Sequence, residues 1–175
     1  MRSAIFLGCS LVFSSWINTQ PSPPSLYATE AFEIAFSEEV MVTSRQPGSE
    51  LILKATDYMD ASLGRAHLLS AVLYRAPANV EIATIAALSK LGCKLNRPEE
   101  TPYIKGFRAF DVNASKCDGG FALQSRAVAA GNWLYLVMAL YSKTDDADAA
   151  RKFVESFRLR RIDRRNQNSG KYRSS

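Results

Sequence analysis

Side chains able to do chemistry are sparse in this 175-residue chain, and they are scattered rather than clustered. His67 is the only histidine. That alone removes most Ser–His and Cys–His schemes, which need an imidazole beside the nucleophile. It stands between Ala66 and Leu68 in a strand-like stretch and reads as structural. Glu99-Glu100 and Asp145-Asp146 are adjacent acidic pairs. Neighbours in sequence do not converge as acid and base unless the fold brings partners to them, so both read as solvated surface. Gly119-Gly120 reads as a hairpin turn, because no glycine-rich strand-to-helix turn surrounds it to cradle a phosphate. The sequence assigns no catalytic residue, no cofactor-binding residue and no metal ligand, and no cofactor is expected.

The cysteines carry more information. If Cys9 is lost with a leader, Cys93 and Cys117 remain, an even number that an oxidising compartment would join. Two thiolates and one histidine do not make four ligands, and their spacing matches no zinc pattern. Closely spaced redox cysteines of the Cys-x-x-Cys kind are absent. A structural disulfide between Cys93 and Cys117 is the first reading. Two buried free thiols are the second, and reactive chemistry the last.

The leader itself is Met1-Arg2 followed by an apolar run from Ala4 to Phe13, extending with Trp16 and Ile17 to about 14 residues. A bilayer span needs ~20, so the pattern is that of a signal peptide. Cleavage after Ser14 or after Ala28 would each leave a small residue at the cut. We expect residues 1–28 to be a signal peptide and the protein to be periplasmic or secreted. Lipoprotein anchoring through Cys9 is disfavoured, because Phe6 fits poorly and only four apolar residues precede the cysteine. The competing reading makes the apolar run part of the domain.

The net charge of +5 is unevenly spread. From Arg158 onward there are seven basic residues against Asp163, whereas between Thr29 and Phe157 there are 14 basic and 16 acidic residues. Residues 160–175 are polar apart from Ile162 and Tyr172 and are expected to form a disordered basic tail. Arg158, Arg160, Arg161, Arg164 and Arg165 are candidates for weak contact with an anionic surface. Nucleic acid is not expected as a partner of an exported chain.

Residues 29–159 read as one domain. Strands are expected around Phe32–Phe36, Val40–Thr43, Leu51–Tyr58 and Ala66–Tyr74, then at Phe107–Val112, Phe121–Ala129 and Trp133–Ser142. The last alternates apolar residues on both faces, the pattern of an interior strand. Asp60–Gly64 reads as a connector. A helix is expected after Asn79, with Ile82, Ile85, Ala86 and Leu88 as its buried stripe and Gly92 as its stop. A second helix is expected over Asp148–Leu159, burying Ala149, Phe153 and Phe157, with acidic residues at its positive end.

This order of parts resembles the PsbP-like superfold of small exported bacterial domains, including DcrB-type proteins. The resemblance lies in a helix ending at Leu91-Gly92, a strand opening at Gly106-Phe107, the hairpin strands Gln124–Val128 and Asn132–Val137, and the closing run Ala150–Phe157. It is clearest over residues 80–159. It implies an α+β fold, an antiparallel β-sheet flanked by helices on both faces as an α/β/α sandwich. It also implies a non-enzymatic binding or accessory protein whose partner is another exported or envelope protein, because no catalytic residue is shared in that superfold. The alternatives are a small exported hydrolase or other enzyme with an unrecognised site, and a structural envelope protein tethered by its basic tail.

Overall fold

The computed structural model describes residues 24–62, 64–103, 107–142 and 147–160. Strand β1 is Ser25–Ala28, β2 is Phe32–Phe36, β3 is Met41–Arg45, β4 is Ile52–Ser62 and β5 is Arg65–Tyr74. Helix α1 covers Val80–Leu88. Strands β6 (Glu99–Glu100), β7 (Arg108–Asp111), β8 (Phe121–Ala130) and β9 (Trp133–Ser142) follow. Helix α2 is Ala147–Ser156, and β10 is Arg158–Leu159.

These strands form two sheets. Seven lie in the order β3-β4-β5-β9-β8-β7-β6, and three in the order β1-β2-β10. The large sheet is built mainly from hairpins. β8 and β9 pair from Phe121↔Ser142 to Ala130↔Trp133, closing on the two-residue turn Gly131-Asn132. Gly131 supplies the positive φ of 60° that such a turn needs at its first central position.

The expected antiparallel sheet with helices on both faces, the α/β/α sandwich, is not the architecture found. Strands make up 50% and helix 19% of the described residues, and the two helices are short. The difference arises at both ends of the domain. Phe32–Phe36 was expected to enter one sheet along with Val40–Thr43, but β2 and β3 part company and join different sheets. The closing helix stops at Ser156, and Arg158 and Leu159 pair with Glu33 and Phe32. The residues expected to finish a helix instead complete a second sheet.

The interior strands alternate faces as their sequences require. On one face Leu69, Tyr135, Val137 and Ala139 meet Phe32, Ile34 and Phe36 of β2 together with Ala150, Phe153, Val154 and Phe157. Ala149, expected in that stripe, is exposed. On the other face Leu134, Leu136 and Met138 pack with Leu123, Phe110 and Val112 and with Val80 and Leu88 of α1.

Helix α1 corrects a second expectation. It buries Val80, Thr84 and Leu88, and leaves Ile82, Ile85 and Ala86 outward. Asn79 does cap it, its side chain accepting from the Ile82 N–H at 3.1 Å. Gly92 ends the following turn in the left-handed region at φ 62°. Buried Thr84 is satisfied by donating its hydroxyl to the Val80 carbonyl at 2.6 Å.

Candidate functional site

Three side chains that could belong to a chemical site do meet, and they meet around the lone histidine. Asp60 and His67 lie directly opposite each other in the β4–β5 register. Both are buried, at 3% and 6% exposure. His67 Nδ1 stands 2.8 Å from Asp60 Oδ1. Ser37, just beyond β2, reaches the same place from the small sheet: its hydroxyl is 3.2 Å from His67 Nδ1 and donates to Asp60 Oδ2 at 3.2 Å. The backbone N–H groups of Ser37 and Glu38 also donate to Asp60 Oδ2, at 2.7 and 3.0 Å. Phe153 of α2 stacks on the imidazole, with centroids 4.2 Å apart and planes 18° from parallel.

The electrostatics follow from that wiring. Burial alone pushes the Asp60 carboxyl up, but the His67 hydrogen bond and charge, with the two backbone donors, outweigh it and hold the carboxyl below its ordinary value.

Ser, His and Asp in contact suggest a hydrolytic relay, and the geometry argues against one. In such a relay the carboxylate holds one ring nitrogen while the hydroxyl faces the other. Here both Asp60 and Ser37 address Nδ1, so no path leads from the serine hydroxyl through the ring to the carboxylate. What the arrangement does is clamp: Asp60 ties the end of the small-sheet strand β2 to two strands of the large sheet, under a lid of α2.

Sequence reasoning treated His67 as structural and Asp60 as part of a connector, and missed their pairing. A signal was present. The hairpin that pairs Ser62 with Arg65 places residues 60 and 67 opposite one another.

The second feature is the disulfide. Cys93 and Cys117 are bonded, with sulfurs 1.96 Å apart and Cα atoms 3.8 Å apart, closer than the ~4.4–6.8 Å usual for such bridges. The bond fastens the segment after α1 to the turn before β8. Backbone bonds from Lys94 N–H to the Lys116 carbonyl and from Asn96 N–H to the Asn113 carbonyl, at 2.9 and 2.8 Å, continue the seam.

The remaining candidates do not converge. Glu99 and Glu100 form the edge strand β6, with Glu100 3.5 Å from Arg108. Asp148 pairs with Arg151 at 2.7 Å on α2, while Asp145 and Asp146 lie outside the described residues. Of the basic candidates, Arg158 is in β10. Arg160 is docked rather than loose: its N–H donates to the Ala31 carbonyl at 2.9 Å, and its side chain to the Thr29 carbonyl at 3.2 Å. Arg161, Arg164 and Arg165 lie outside the described residues.

Among the described residues no cluster of three or more His, Cys, Asp or Glu is placed to hold a metal ion. A surface cleft between Tyr74, Val80 and Trp133 has room for about one water molecule, far short of a small-molecule site. No helix among the described residues is long and apolar enough to cross a membrane. No family model and no curated protein matches this chain.

Proposed function

We propose that this is an exported, non-enzymatic binding protein that takes an extended segment of another exported protein onto the outer edge of β3, which no strand among the described residues pairs with. The observation that carries the reading is the contrast between the two edges of the large sheet. Edge strands are normally blunted by charge, proline or brevity. β6 shows all three, being Glu99–Glu100 with Pro98 and Pro102 beside it. β3 is longer, and its only charged residue, Arg45, stands at its end with Pro47 two positions beyond.

All five β3 residues are exposed, Met41 at 59% and Val42 at 49%. The one charged side chain, Arg45, turns back over β4 to Asp57 and Ser70, its Nη2 donating to the Ser70 hydroxyl at 2.9 Å. The outer edge is left as a row of uncharged backbone, the surface to which an added strand binds through main-chain hydrogen bonds. The disulfide supports export, since such bonds persist in oxidising compartments.

A photocrosslinking residue at Thr43 of the exported chain should trap a discrete protein adduct that the same residue at exposed Glu155 of α2 does not. Val42→Lys should abolish the adduct while thermal stability stays unchanged. Equal trapping from both positions, or an adduct indifferent to the lysine, would overturn the reading.

A further inference from the structure

The outer edge of β3 has a phase across it and a polarity along it, and together they describe the segment that fits. In an antiparallel ladder hydrogen-bonded and unbonded pairs alternate, so each residue turns its N–H and C=O to one side only. Tyr74 N–H donates to the Asn132 carbonyl and Arg75 N–H to the Leu51 carbonyl, both at 2.9 Å. Even-numbered residues of β5 therefore face β9, and odd-numbered ones face β4. Through the register, His67, Leu69 and Ala71 bond to Asp60, Tyr58 and Thr56, which leaves Met59, Asp57 and Ala55 to bond to Met41, Thr43 and Arg45. Val42 and Ser44 turn their main-chain groups outward. No strand among the described residues pairs with that side.

The side chains beside those open groups are apolar at one end. On one face Met41 begins a cross-strand row that continues through Met59 and Leu68 to Met138. Exposure falls along it from 59% at Met41 to 7% at Met138. On the other face Val42, 49% exposed, leads through Tyr58 to Leu69. A strand laid along the edge would extend each row by one side chain. The two would be neighbours in its sequence, because successive residues point to opposite faces. Thioethers adapt to the shape they meet, so the row at Met41 selects for bulk rather than for one side chain.

Past this apolar pair the edge becomes polar with Thr43, Ser44 and Arg45, and Arg45 is already bonded to Asp57 and Ser70. In the other direction Glu38 and Glu39 are exposed. Glu38 lies 3.6 Å from Arg65, and Glu39 stands two positions before Met41. That end of the edge is acidic.

Resting on the reading of β3 as a docking edge, we infer that the docked segment runs antiparallel to β3 with two adjacent bulky apolar residues opposite Val42 and Met41. A lysine or arginine two positions further toward its C-terminus meets Glu39. The large sheet is antiparallel at every junction, and pairing of that kind is slightly the more stable. Opposite charges facing each other across strands favour the pairing, and like charges oppose it.

The probe is a random octapeptide library displayed on phage, selected in parallel on the disulfide-bonded protein and on its Val42→Lys variant. Peptides enriched on the parent and lost on the variant should share the apolar pair with a basic residue two positions after it. Peptides that depend on Val42 but lack the pair, or carry the basic residue before it, would overturn the inference and leave docking on β3 standing. Finding no peptide whose capture depends on Val42 would overturn the docking reading and the inference together.

A charge reversal gives a sharper readout. Selection on Glu39→Lys should keep the apolar pair and exchange the basic preference for an acidic one. Glu39 is exposed, so the variant should melt with the parent. A preference that stays basic would overturn the inference.

Discussion

Asp60 and His67 face each other three residues either side of a hairpin centre, with Asp60 Oδ1 2.8 Å from His67 Nδ1. The carboxylate has its other oxygen on the Ser37 and Glu38 N–H groups, so one side chain satisfies donors from both sheets. Removing it leaves those part-buried donors and the buried His67 without their acceptor. Asp60→Ala should destabilise by about 3 kcal/mol, the scale for breaking a buried charge-assisted network from one side. Asp60→Asn, which keeps one acceptor oxygen, should lose less. Denaturant unfolding of the two variants beside the parent checks both the loss and the order.

The same carboxyl sets an acid limit. Its folded value lies below its ordinary one, so the folded state binds that proton less readily than the unfolded chain does. The stabilisation is therefore fully present above the unfolded value of ~3.9 and is lost as pH falls through the lower folded value. Melting temperatures from pH 7 down to pH 2.5 should decline below about pH 4. The decline should be shallower in Asp60→Asn. An identical acid limb in that variant would assign it to other carboxylates.

An alkaline limit comes from Tyr135, almost fully buried between β2 and α2. Burial, with Tyr58 and Tyr103 nearby, pushes its phenol up to about 12. The unfolded phenol loses its proton near ~10, so stability is intact below that pH and falls as pH rises toward the folded value. Tyr135→Phe keeps the ring and removes the hydroxyl. Its stability should decline less steeply between pH 10 and 12 than the parent's, as read by chemical unfolding at each pH.

The closing arginines give a more local prediction. The described fold ends at Arg160, whose backbone is bound to Ala31. Truncation after Arg160 should leave the melting temperature unchanged, whereas truncation after Phe157 removes β10 and should lower it. Loss of residues 161–175 should weaken binding to anionic vesicles, and that binding should fade as salt rises. Unchanged vesicle binding would end the reading of Arg161, Arg164 and Arg165 as an anionic contact.

What could be read from the sequence depended on whether a residue's surroundings were local. β9 was legible residue for residue, because Trp133–Ser142 is apolar on both faces and bounded by a Gly-Asn turn. The α1 stripe was not, because Val-Glu-Ile-Ala-Thr-Ile-Ala-Ala-Leu is apolar nearly all round and offers no period to choose by. Packing on β7 and β8 selected Val80, Thr84 and Leu88 instead. The last turn of α2 was lost to a distant partner: Phe157 is buried and β10 bonds to β2, more than a hundred residues away. β1 was hidden because four residues beside a proline-rich stretch carry no strand signal of their own. Asp60 was hidden because a carboxylate in a connector and one in a hairpin pair look alike until the hairpin centre is fixed.

The disulfide was legible as a pairing, and it carries the last prediction. Cys93 and Cys117 are 24 positions apart, enclosing β6 and β7, which otherwise hold to the domain through β8 and the contacts of Phe110 and Val112. Closing a loop of that size restricts the unfolded chain by about 3 kcal/mol in the chain-entropy model. Cys93→Ser/Cys117→Ser should therefore lower stability by up to that amount. The first region to open should be residues 94–116, where amide exchange will rise before it rises in β5 or β9. Protein recovered from the exported fraction should weigh about two hydrogens less than its reduced form. Freely alkylatable thiols in oxidised native protein would contradict the bond, and with it the main structural support for export.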